Sequence, residues 1–165
     1  NIINLSARPF ISCEEMHHTL INNWNACVSK KDEIYILGDL IHKGDGEDAN
    51  KLLKKLNGKK YLIRGNHDGY VDEKAFDQSY FEWIKDYYVL RYDHQKFVLF
   101  HYPILEWDGF FGGSIHLHGH VHNSRKDPTQ LARLEALGER AFNVGVDVND
   151  FRPISINEIM GRIKQ

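Results

Sequence analysis

Glu33-Ile34-Tyr35-Ile36-Leu37-Gly38-Asp39 and Lys60-Tyr61-Leu62-Ile63-Arg64-Gly65-Asn66-His67-Asp68 are apolar runs of strand length, each ending in glycine and then in metal-binding residue types. Their content of isoleucine, leucine and tyrosine predicts strands over 33–37 and 60–64. Between them, 47–57 reads as a helix with Leu52, Leu53 and Leu56 on one side and Gly58 as its terminator. Upstream, Ser12 stands three residues before Glu15, a capping box, and Met16, Leu20, Trp24 and Cys27 recur at helical spacing. Helix, strand, helix, strand predicts an α/β layer architecture.

The later half is richer in strand. Tyr88 to Tyr92 and Lys96 to Phe100 flank Asp93-His94-Gln95, the pattern of a hairpin. Strands are also predicted over 114–117 and 141–146, and Ser155 with Glu158 opens a C-terminal helix. Pro128 to Gly138 reads as loop or helix. No repeat or linker divides the chain, so 1–165 is read as a single domain.

Composition narrows the function classes. The 165 residues are 42% hydrophobic and 27% charged, with a net charge of -2. That balance is ordinary for a globular protein and advertises no nucleic-acid surface. No stretch approaches the roughly 20 apolar residues of a membrane span. Cys13 and Cys27 fall in one predicted helix, too far apart for a bridge, which predicts a reducing, cytoplasmic setting. Histidine is the oddity. Four of the ten alternate as His116, His118, His120 and His122.

The decisive regularity is positional. Strand 34–37 ends at Asp39, strand 61–63 near Asn66 and His67, strand 97–100 at His101, and strand 115–117 leads to His120 and His122. In open α/β sheets, sites form outside the carboxyl ends of strands. Residues two apart in extended chain face the same way, so His120 and His122 can share one site.

Gly38-Asp39, Gly65-Asn66-His67-Asp68, His101 and Gly119-His120-Val121-His122 together resemble the calcineurin-like metallophosphoesterases. Asn1-Ile2-Ile3, Arg8-Pro9-Phe10, Asn143-Val144-Gly145-Val146-Asp147 and Arg152-Pro153 resemble the small stand-alone bacterial and phage members. The resemblance implies a β-sandwich flanked by helices and hydrolysis of phosphate mono- or diesters at a dinuclear metal centre, with a metal-bound hydroxide as nucleophile. It implies that Asp39 bridges two divalent ions. Asn66, His101 and His120 would complete the second ion's protein ligands, and His122 would bind the first. His67 would act as general acid, and Asp68 would orient it or stabilise its loop. Mixed imidazole and oxygen ligands suit Mn first, with Fe or Zn as alternatives.

The family's Asp-x-His motif on its first strand is not in this sequence, which predicts an upstream segment carrying it. The small size favours a phosphorylated small molecule as substrate. Two other readings stand beside hydrolysis: a non-catalytic scaffold on the same fold, and a mononuclear metal-binding protein. The aromatics Trp107, Phe110 and Phe111 in the Gly109–Gly113 region are read as packed on the body, or else as a lid. His42 and Arg64 are candidate phosphate contacts, and Lys54, Lys55, Lys59 and Lys60 an exposed basic run.

Overall fold

The computed structural model describes residues 2–122 and 128–163. It contains α1 (Ile2–Leu5), α2 (Cys13–Cys27), β1 (Glu33–Ile36), α3 (Gly46–Leu53), β2 (Lys59–Ile63), β3 (Trp83–Lys85), β4 (Tyr87–Tyr92), β5 (Gln95–Phe100), β6 (Ile115–His118), α4 (Pro128–Ala136), β7 (Ala141–Asn143) and α5 (Ile156–Ile163). One sheet has the order β1-β2-β3 and is parallel; the other has the order β4-β5-β6-β7, with only β4 and β5 antiparallel.

The first sheet packs apolar residues on both of its faces, which is why its strands carry near-continuous apolar runs. Successive residues point to opposite faces. Ile36 and Leu62 therefore pack with Ala49 and Leu53 of α3 and with Tyr70, Val71, Phe76 and Phe81. Their neighbours Leu37 and Ile63 turn the other way, onto Phe97, Leu99, Ile115 and Leu117 of the second sheet and Ile159 of α5. This second cluster joins the sheets into the sandwich that the resemblance implied.

Both capping boxes form hydrogen bonds. Ser12 Oγ accepts from the Glu15 N–H, but the Glu15 carboxylate reaches Ile11 N–H instead of the cap residue. Ser155 and Glu158 make the fully reciprocal pair. Three expectations are corrected. The α3 helix stops at Leu53, because Lys55 and Leu56 bond to Leu52 and Leu53 as successive turns. The strand expected over 141–146 ends at Asn143, and Val146–Val148 forms a short 3₁₀ turn. Lys60 is buried, its Nζ donating to the Gly58 carbonyl, so it does not belong to an exposed basic run. The ambiguous 128–138 stretch is largely helix, α4.

The central strand β6 is buried throughout. His118 is 2% exposed and donates from Nδ1 to the Gly119 carbonyl. Burial pushes its pKa down to about 4 from 6.5. A depressed folded-state value means the unfolded chain binds the proton more readily, so stability falls as the solution is acidified between those values. The loss expected from this one group is about 3 kcal/mol. Urea unfolding at neutral pH and near pH 4 should show it, and His118→Leu should flatten the profile between them. An equally steep profile in that variant would clear His118 of the effect.

Candidate metal centre

The parallel registers bring several strand ends to one edge. Ile36 pairs with Leu62, and Leu99 with Leu117. Gly119 N–H donates to the His101 carbonyl just beyond. His101 inherits the inward face of β5 from Phe97 and Leu99, so its ring enters the sandwich from the top.

Glycine lets these ends close up. At Gly38 (φ +87°) a Cβ would lie 2.3 Å from His101 Nδ1. At Gly65 it would lie 2.4 Å from Asp39 Oδ1. Each contact is far inside van der Waals range, so a side chain at either position would push the cluster apart.

His101 is fully buried, and its Nδ1 donates to the Leu37 carbonyl at 2.7 Å. A carbonyl can only accept, so the neutral ring presents a lone pair at Nε2. Around Nε2 lie Asn66 Oδ1 at 3.1 Å, Asp39 Oδ2 at 3.3 Å and His120 Nδ1 at 3.2 Å. Asp39, His101 and His120 offer ligand atoms all within 4.8 Å of one another. Convergent lone pairs repel one another unless something positive sits among them, so this donor set fits a cation. The pKa directions agree. Burial opposes charge on both groups, yet the pairing outweighs it, raising His101 and lowering Asp39. A field that holds a proton at this place also attracts a metal ion.

Two members of the cluster sit on left-handed backbone. Asp39 has φ 56° and His120 has φ 63°. Such residues cost roughly 1–3 kcal/mol each and persist where surrounding structure over-determines them. At Asp39 the determinant is Asp68, whose buried carboxylate accepts from the N–H groups of Asp39, Leu40 and Gly65. Burial pushes the Asp68 carboxyl above its ordinary value, against those three donors, which favour the ionised form. At His120 a γ-turn closes from Val121 N–H to the Gly119 carbonyl. The alternation of His116, His118, His120 and His122 therefore breaks at Gly119. His116 and His118 remain strand residues in the core, and His120 swings toward His101.

The remaining expected site residues lie nearby in different settings. His67 is exposed, and its backbone N–H donates to Asp39 Oδ1 at 2.8 Å. Its ring meets His42 edge-on, centroids 4.4 Å apart. Among the described residues, the Asp68 carboxylate accepts from three loop N–H groups, and no hydrogen bond joins it to the His67 ring. Arg64 pairs with Asp72. His122 lies outside the three-residue cluster; its Nδ1 is 2.7 Å from Asp147 Oδ2.

Two residues that the sequence did not assign to the site join this edge: Asp147, quoted there only as part of a motif, and Tyr102, whose ring packs on both His101 and His120. Tyr102 follows His101 directly, and that adjacency was the available signal. The Gly109–Gly113 segment is placed elsewhere. Gly113 accepts from the Gln95 side chain at the opposite end of β5, so it does not cover this edge. Trp107 is buried on His116, and Phe111 is exposed.

A two-sheet sandwich with an Asp/His cluster at its strand ends is the arrangement that the resemblance implied. The family model for calcineurin-like phosphoesterases matches residues 13–140. The chain belongs to that family. An uncharacterised protein of Methanocaldococcus jannaschii is 36% identical, covering 100% of this chain and 85% of its own length. The Gene 66 protein of Mycobacterium phage D29 is 28% identical over 86% of this chain and 81% of its own. A solved structure of a protein of unknown function from Aquifex aeolicus superposes with a TM-score of 0.70 at 27% identity, covering 98% of this chain and 91% of that one. No helix among the described residues is long and apolar enough to cross a membrane.

Proposed function

We propose that this protein hydrolyses phosphate esters at a centre of two divalent transition-metal ions, Mn before Fe or Zn. The observation that carries the reading is the convergence of Asp39 Oδ2, Asn66 Oδ1 and His120 Nδ1 within 3.3 Å of His101 Nε2. Imidazole with carboxylate and amide oxygen is a donor set for Mn, Fe or Zn. Such ions, when bound, polarise phosphoryl oxygens and make hydroxide available near neutral pH.

The chain's own residues do the rest. Asp39, Asn66, His101 and His120 would hold one ion, Asp39 would be shared with the other, and His122 would serve that other ion. The left-handed backbone at Asp39 and His120 keeps those side chains aimed at the cluster before any ligand arrives. His67 is exposed beside the cluster and tied to Asp39 through its backbone, and its imidazole would hand a proton to the departing alkoxide. A small phosphorylated molecule is the favoured substrate.

Metal-stripped protein titrated with Mn²⁺ should bind the ion and gain hydrolysis of an aryl phosphate monoester or diester. Absence of both uptake and turnover would overturn the reading. Uptake without turnover would point to a scaffold, and one ion per chain to a mononuclear site. His67→Ala is expected to keep the metals while turnover falls by roughly 10²–10⁴-fold. The fall should be steepest for substrates whose leaving group is a poor one. Wild-type rates in that variant would remove His67 from the proton transfer.

A further inference from the structure

We infer that Asp147 is a positioning residue that holds the His122 imidazole as its Nδ1–H tautomer, leaving Nε2 bare and aimed as a metal ligand. The inference rests on the proposed function for the value of that orientation, but its geometry is independent of it.

Asp147 follows β7 in the Val146–Val148 turn, and its side chain is 7% exposed. Arg8 donates to both carboxylate oxygens, Nε to Oδ1 at 2.6 Å and a terminal nitrogen to Oδ2 at 3.2 Å. The second oxygen also faces His122 Nδ1 at 2.7 Å. Arg8 is itself only 9% exposed, so the carboxylate is pinned from behind by a cation that stays charged at any working pH. An ionised carboxylate only accepts. His122 Nδ1 must therefore be the protonated nitrogen, and Nε2 carries the lone pair.

His101 uses the same logic with a different partner, since the Leu37 carbonyl takes its Nδ1 proton. His122 needs its partner more. Its side chain is 37% exposed, against 1% for His101, so packing alone does not hold the ring. Metal-binding histidines generally have the far nitrogen tied in this way, and loss of the partner typically lowers metal affinity or activity by 10–100-fold. The pair also closes the molecule, since Arg8, His122 and Asp147 come from segments 139 and 25 residues apart.

The test has a part that needs no metal. Isotope-labelled histidine in metal-free protein at about pH 8.5, above the ordinary imidazole range, reports each ring's tautomer by proton–nitrogen correlation. His122 should be the Nδ1–H form in the wild type and lose that preference in Asp147→Ala. Asp147→Asn keeps an oxygen to accept from Nδ1, so it should retain much of the tautomer and of the metal affinity. Calorimetry with Mn²⁺ should show affinity falling about 10–100-fold in the alanine variant and recovering in part in the asparagine variant.

An Nδ1–H His122 in Asp147→Ala, or equal Mn²⁺ affinity in wild type and Asp147→Ala, would overturn the inference. If Asp147→Ala does not fold, the asparagine variant decides: loss of both tautomer and affinity in a folded Asp147→Asn counts against oxygen acceptance as the mechanism. A wild type that shows the tautomer but hydrolyses nothing would sink the proposed function and leave the role of Asp147 in orienting His122 standing.

Discussion

Asp39→Ala is expected to lose metal binding and, with it, turnover by on the order of 10³-fold or more. The carboxylate has two jobs. Oδ2 faces His101 Nε2 at 3.3 Å, and Oδ1 takes the His67 N–H at 2.8 Å. Its removal takes a negative charge from the cluster and releases the loop that carries the proposed acid. Alanine also suits φ 56° less well than aspartate, which adds about 1–2 kcal/mol of local strain. Asp39→Asn separates these effects. It keeps the backbone preference and an acceptor for His67 but removes the charge. Metal analysis and initial rates on both variants, at matched Mn²⁺, make the comparison. Full metal occupancy in the alanine variant would contradict the shared-ligand role.

Asp68→Ala is expected to be the most destabilising single change at this edge, by about 4 kcal/mol. The carboxylate is fully buried and serves three N–H groups, those of Gly65 and Asp39 at 2.8 Å and of Leu40 at 3.2 Å. Bonds from backbone N–H to a charged acceptor contribute roughly 1.5–3 kcal/mol each, part of which water recovers when the loop opens. Against a total stability on the order of 5–15 kcal/mol, that is a large fraction. The urea midpoint should drop by roughly 2 M. Metal affinity should fall too, because Asp68 ties the loop carrying Asp39 to the loop carrying Asn66 through both backbones. Asp68→Asn, which keeps an accepting oxygen, should lose less. A midpoint unchanged by Asp68→Ala would mean that the loops are held by glycine packing instead.

Much of the fold was legible because its signals are local. Strands β1 and β2 send apolar residues into packed clusters on both faces, so their apolar runs are continuous and short. The caps at Ser12 and Ser155 work within three residues of chain. The β4–β5 hairpin joins neighbours across a tight turn. Where expectation failed, the deciding contact was tertiary. Lys60 reads as a solvated base, but the paired strand buries it. The choice left open for the glycine-rich 109–113 segment, packed on the body or a lid, was also decided by topology: it sits at the end of β5 away from the cluster, because a parallel β5–β6 pair sends its connection back to the strands' start. That topology is invisible in composition.

The sequence by itself determined which chemistry is available, since only side chains can supply carboxylate, amide and imidazole, and it put Asp39, Asn66, His101 and His120 just past strand ends. The tertiary structure decided how those groups are aimed. The Asp68 carboxylate on the left-handed Asp39 backbone, the Leu37 carbonyl on His101, and the Arg8–Asp147 pair on His122 are contacts between distant segments. Orientation depends on which nitrogen is tied and which is bare. A linear pattern does not carry that information, because the tying partner is chosen by folding and not by spacing.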